Sequence, residues 1–104
     1  MPADPYKRRL ALARCKARAK ARGRAWVVAY LLEHPCVDCG EIDLKVLEFD
    51  HRDPASKAHN ISRMVSDGLS LASIEREVAK CDVRCCNCHR RRTLDEGHHG
   101  PRRV

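Results

Sequence analysis

Two pairs of cysteines, each pair split by two residues, bracket the middle of this chain: Cys36-Val37-Asp38-Cys39 and Cys85-Cys86-Asn87-Cys88. A C-x-x-C turn brings two thiolates onto one cation, and two such turns complete the four-sulfur tetrahedron of a structural zinc site. Four protein sulfurs leave no position for water, so this metal would hold the chain together rather than act on a substrate. The other groups able to do chemistry are Asp50-His51, between the pairs, and His89, directly after Cys88. A carboxylate with imidazoles suits a divalent cation that keeps open positions. These three residues are therefore expected to form a second, catalytic metal site on the zinc scaffold. His89 is also an alternative zinc ligand, given its place beside Cys88. Cys86 is too close to Cys88 to pair with it on one ion.

The chain has 104 residues, which suits one domain, and only 4% of them are aromatic against 34% charged. So little apolar bulk makes a small core, and bound metal is a common staple for such a core. Seven cysteines are an odd count. With C-x-x-C pairs and no secretion signal, they are expected to be thiolates in a reducing compartment, the cytoplasm of a bacterium or of a phage-infected host cell. A redox role would require neither the second pair nor the basic flanks. Cys15 and Cys81 read as small buried apolar residues. Lys and Arg number 21 against 14 acidic residues, giving +7 and a pI near 9.3. That excess points to a polyanionic partner, nucleic acid before an anionic membrane.

Asp4 to Glu33 reads as one long helix or two in line, with Asp4 as N-cap and Pro5 at the first helical position. Between Lys7 and Arg24 the basic residues Lys7, Arg8, Arg9, Arg14, Lys16, Arg18, Lys20, Arg22 and Arg24 stand with no acidic residue among them, and Gly23 marks an expected hinge. The apolar run 25–32 is far short of a membrane span. Trp26, Val27, Tyr30 and Leu31 instead form a helix face for the core. Leu44 to Phe49 reads as a strand ending at Asp50-His51, and Asp53-Pro54 breaks it. Ile61 to Asp67 is a short helix stopped by Gly68. Ser70 caps another helix carrying Leu71, Ile74 and Val78. Residues 82–84 make a return strand, and a final Arg-rich helix runs from Asn87 to about Leu94.

The runs Cys36-Val37-Asp38-Cys39-Gly40, Leu47-Glu48-Phe49-Asp50-His51-Arg52-Asp53-Pro54 and Cys85-Cys86-Asn87-Cys88-His89-Arg90-Arg91-Arg92-Thr93 resemble the zinc-bound HNH endonucleases. These are the ββα-metal or His-Me finger group of phage, homing and restriction nucleases. The resemblance covers about 36–93. It implies an α+β fold: a small ββα-metal domain over 35–96, stapled by a four-cysteine zinc site. Residues 1–34 would be a basic helical extension outside the shared pattern, and 97–104 a disordered tail. Carried over position by position, it implies His51 as general base, and Asp50 and His89 as ligands of one Mg²⁺ or Mn²⁺. The expected activity is DNA phosphodiester hydrolysis leaving 5′-phosphate and 3′-hydroxyl ends. Residue chemistry agrees, since imidazole titrates near neutrality and can take a proton from water.

The family's middle asparagine, nine residues before the closing histidine, falls on Lys80 here. That asparagine ties down the loop that orients the base; Asn60 and Asn87 are candidates for its task, but Asn87 reads more simply as a turn or helix-cap residue. Arg90, Arg91 and Arg92 are expected to grip phosphates beside the scissile one, with Lys57 a weaker candidate. Lys16, Arg18, Lys20 and Arg22 on the N-terminal helix would form a salt-sensitive clamp. Two other readings stand beside the nuclease. One is a non-catalytic zinc-finger module that binds nucleic acid; the other is a nuclease active only with a protein partner such as a phage packaging motor.

Overall fold

The computed structural model describes residues 4–96; the tail 97–104, with His98 and His99, lies outside the described residues. Helix α1 runs over Pro5–Glu33, and the Asp4 carboxylate accepts the Tyr6 N–H at 2.9 Å. Ala, Leu, Lys and Arg are strong helix formers, and α1 continues through Gly23 without a hinge. Gly23 is a contact point instead. It is buried, and a Cβ there would stand 3.4 Å from Ile74 and 3.4 Å from Val65. The missing side chain lets α1 lie close over the helices that follow.

Residues 5–18 are exposed all round, including Cys15, expected to be buried. The last turns of α1 behave differently. Trp26, Val27, Tyr30 and Leu31 pack inward as their spacing predicts. Partial burial therefore begins inside α1 at Ala19 and Lys20, and Gly23 is the first fully buried residue among those described.

Strand β1 spans Leu47–His51 and pairs antiparallel with β2, Cys81–Cys85. The strand starts later than Leu44 because Asp43 folds the chain into a turn. Its side chain accepts the Lys45 N–H at 2.9 Å and its carbonyl accepts the Val46 N–H at 3.1 Å. In register, Leu47 faces Cys85, Phe49 faces Val83, Asp50 faces Asp82 and His51 faces Cys81. A single 3-10 turn, Pro54–Ser56, is capped by Asp53. Asn60 caps α2, Ile61–Ser66, accepting the Arg63 N–H at 3.4 Å. Gly68 then turns the chain at φ +71°, a left-handed conformation that suits glycine. Ser70 caps α3, Leu71–Val78, and α4 covers Cys86–Asp95. The cap of α4 is Cys85, whose sulfur accepts the Cys88 N–H at 3.4 Å. Asn87, expected as the cap, lies exposed in the first turn.

The result is a mixed α+β fold with two small apolar clusters. One joins Leu31, Leu47 and Val83 to the cysteine pairs. The other joins Ile61, Met64, Val65, Ile74, Val78 and Cys81. Val27, Tyr30 and Phe49 pack against both, so the end of α1 and the middle of β1 tie the halves together. Among the described residues, no helix is long and apolar enough to cross a membrane.

Candidate functional site

Cys36, Cys39, Cys85 and Cys88 converge, with their four sulfurs all within 4.8 Å of one another. The first pair sits on a turn closed by the Gly40 N–H donating to the Cys36 carbonyl at 2.9 Å, with Gly40 at φ +79°. The Val37 N–H donates to the Val83 carbonyl at 2.9 Å, and the Cys86 N–H to the Val46 carbonyl at 2.8 Å. These two bonds dock the turn and the start of α4 onto the strands. Sulfurs about 2.3 Å from a tetrahedral ion stand about 3.8 Å apart, and Cys39 Sγ is 3.7 Å from Cys85 Sγ. The spacing fits zinc.

Burial pushes the Cys36 thiol up, but backbone hydrogen bonds from Cys85, Cys39 and Asp38 outweigh it and bring the thiol down to about 6. Hydrogen bonding to the Cys85 sulfur, and then burial, push Cys88 up to about 12. Among the described residues, Cys86 stands outside the cluster, and His89 takes other partners.

Successive strand residues point to opposite faces, so Glu48 and Asp50 share one face of β1, and α4 lays His89 across both. His89 Nδ1 donates to Glu48 Oε1 at 2.9 Å, and its Nε2 stands 3.4 Å from Asp50 Oδ1. A carboxylate behind an imidazole is the usual way to fix a ligand ring so that its other nitrogen meets a metal. Asp50 is only 4% exposed and carries more than His89. Arg92 donates to its Oδ1 at 2.8 Å and Arg84 to its Oδ2 at 3.0 Å. Arg84 also donates to Asp38 at 2.8 Å, which couples the cysteine turn to the strand-end carboxylate.

His51, 8% exposed, ends β1 on the other face. It shares with His89 a cavity of about 180 Å³ lined also by Phe49, Asp50, Pro54, Lys57 and Thr93. A second cavity of about 300 Å³, bordered by Glu48, Asn60 and the apolar end of α1, also reaches both histidines. Asp50, His51 and His89 thus gather at one place. Lys57 lines both cavities.

Three residues in the site were not singled out from the sequence, or were given another task. Glu77, 4% exposed on α3, stands with Oε2 2.7 Å from His51 Nε2. Its place on the buried face could have been read from spacing, since it lies three residues beyond Ile74. Lys80, at the place of the middle asparagine, donates to the Ser56 carbonyl at 3.0 Å and to Glu77 Oε1 at 3.0 Å. It ties the loop after β1 to α3. Asn60 caps α2, and Asn87 lies exposed in the first turn of α4. Arg92, expected on phosphate, turns inward: it donates to Asp50, to the His51 carbonyl at 3.1 Å and to the Arg52 carbonyl at 2.7 Å, and pairs with Glu96 at 2.7 Å. Its guanidinium is spent on the protein. The signal was again helical spacing, since Arg92 lies one turn beyond His89.

Arg90 and Arg91 are exposed. On α1, Arg18 and Arg22 are exposed, while Lys20 is half-buried and the stem of Lys16 lies against Gly68. The strand, helix and cysteine turn therefore place a carboxylate, two imidazoles and a four-thiol cluster within one small body beside a basic helix. No family model matches this chain, and neither a curated protein nor a solved structure matches it.

Proposed function

We propose that the chain is a zinc-stapled, divalent-metal-dependent DNA endonuclease of the HNH type, built as a ββα-metal unit from β1, β2 and α4. The observation that carries this reading is the 3.4 Å approach of His89 Nε2 to Asp50 Oδ1 beside the cavity that His51 lines. Two ligands bound at about 2.1 Å in adjacent octahedral positions stand about 3.0 Å apart, so the pair suits one shared cation.

Asp50 and His89 would hold Mg²⁺ or Mn²⁺, which supplies positive charge where the phosphate and the departing 3′ oxygen gain negative charge. Glu48 holds the His89 ring at its other nitrogen. His51 accepts a proton from the attacking water, and Arg92 with Lys80 keeps the strand end and its loop in place. Lys57, Arg90 and Arg91 are positioned to meet phosphates. Lys16, Arg18, Lys20 and Arg22 extend the positive surface along α1. Hydrolysis would leave a 5′-phosphate and a 3′-hydroxyl.

One observation favours a second reading, a non-catalytic zinc module that binds nucleic acid. Arg84 and Arg92 already neutralise both oxygens of Asp50, and an incoming cation must share Oδ1 with the Arg92 guanidinium. Plasmid nicking separates the two. With Mg²⁺ or Mn²⁺, the wild type is expected to nick and His51→Ala to lose about 100-fold or more, the range for a positioned general base. A folded, zinc-loaded wild type that binds DNA and never nicks it overturns the enzyme in favour of the binding module.

A further inference from the structure

We propose that Glu77 is the positioning residue for His51: its carboxylate accepts the Nε2 proton and leaves Nδ1 as the atom that takes the proton from water. The proposal rests on the nuclease reading of His51 and adds to it a residue and an atom. Glu77 Oε2 lies 2.7 Å from His51 Nε2, and both side chains are buried. The same oxygen accepts the Ala58 N–H at 3.1 Å and the His59 N–H at 3.4 Å. Lys80 Nζ meets the other oxygen at 3.0 Å.

Two backbone donors and an ammonium make a surrounding built for a carboxylate anion. Burial pushes the Glu77 carboxyl up, but Lys80, His51 and the two backbone N–H groups outweigh it and leave it at about 2. An ionised carboxylate has only acceptor sites. The imidazole nitrogen that meets it at hydrogen-bond distance must therefore be the donor, and in a neutral ring the other nitrogen then carries the lone pair. Glu77 stands on α3, whose Ile74 and Val78 are the most deeply buried side chains. The ring is thus aimed from a packed helix, while the loop that follows His51 is held by the same carboxylate through Ala58 and His59.

The proton balance is simple. A water O–H proton passes to Nδ1 as the new P–O bond forms. The P–O3′ bond breaks, and the departing oxygen takes its proton from solvent. The Nε2 proton stays between His51 and Glu77, so the imidazolium that forms is held beside an anion.

The test uses the full zinc-loaded chain, labelled with ¹⁵N. A strongly downfield, slowly exchanging Nε2–H resonance is expected for His51 in the wild type. In Glu77→Gln that resonance should move upfield, and kcat for nicking should fall about 10- to 100-fold, the usual cost of losing a supporting partner, with KM for DNA unchanged. Glu77→Asp, which keeps the charge, should recover part of kcat if its shorter reach still meets Nε2. Unlike the kcat readouts, the wild-type resonance needs no variant to fold. A wild type that nicks DNA while His51 carries its ring proton on Nδ1 overturns this proposal alone. So does a folded Glu77→Gln with unaltered resonance and kcat. A folded wild type that shows the Nε2–H resonance but never nicks overturns the nuclease reading, and with it the catalytic purpose of the pair.

Discussion

Asp50 and Glu77 are both buried carboxylates, and each is stabilised by a different set of cations. Asp50 is held by arginines from β2 and α4, Glu77 by a lysine one turn away and by a loop. A buried charge persists only when paired or hydrogen-bonded, and among the described residues no buried side-chain polar atom lacks a partner. For Glu77 this has a pH consequence. Its pKa is lowered from an ordinary 4.5 to about 2, so the folded chain holds this proton less readily than the unfolded one. The stabilisation is complete above the ordinary value and is lost as pH falls towards 2. The melting temperature of the wild type should therefore exceed that of Glu77→Gln by a margin that is steady above about pH 5 and shrinks below it. Thermal unfolding of both proteins across that range checks this; a margin that grows on acidification refutes it.

At the scale of elements, α1 has two distinct halves. Its C-terminal turns are part of the core, while residues 5–18 are exposed, with only the stem of Lys16 resting against Gly68. Residues four apart share a helix face, so Lys16 and Lys20 lie on the side of Gly23, and Arg18 and Arg22 lie on the far side. Under the proposed function, a rod with cations on both sides would be a phosphate contact surface without a base-reading geometry. Replacing Lys16, Arg18, Lys20 and Arg22 together by Gln should weaken DNA binding in the same proportion on every sequence. The slope of log affinity against log salt should fall by about 0.9 for each residue that touches a phosphate. Titrations at several salt concentrations test this, and an unchanged slope would remove α1 from the DNA surface.

For the whole molecule, a metal ion held by the cysteine cluster is expected to be the staple on which the fold depends. The two apolar clusters are small, and the largest fully buried side chains, Ile74 and Val78, lie in the one that does not include the cysteine turn. Zinc bound to four thiolates contributes about 10–16 kcal/mol in small domains of this kind, more than a typical net folding stability. One zinc per chain is expected. Its removal by a strong chelator, or Cys36→Ser, should abolish cooperative thermal unfolding, as read by circular dichroism with metal analysis. A chelated protein that keeps its melting transition would show that packing alone suffices. Because Arg84 joins Asp38 of the cysteine turn to Asp50, loss of the ion should also disorder the strand-end site.

Much of this protein is local in origin and so can be read from neighbours in the chain. The caps at Asp4, Asn60 and Ser70, the stop at Gly68, the apolar face at Trp26, Val27, Tyr30 and Leu31, and the two C-x-x-C pairs each depend on residues within a turn or two. Their geometry follows from backbone hydrogen bonding and helical or strand periodicity. What Glu77, Lys80 and Arg92 do depends on segments far along the chain: a loop 20 or so residues away for Glu77 and Lys80, and β1 for Arg92. Charged residues on helices read as solvated until packing removes the solvent, and only the tertiary structure determines which charges must then find partners. Cysteine and histidine spacing by itself determined where metal chemistry could occur. The folded chain decided which carboxylates and cations surround it, because burial makes pairing obligatory and only three-dimensional proximity supplies the pairs.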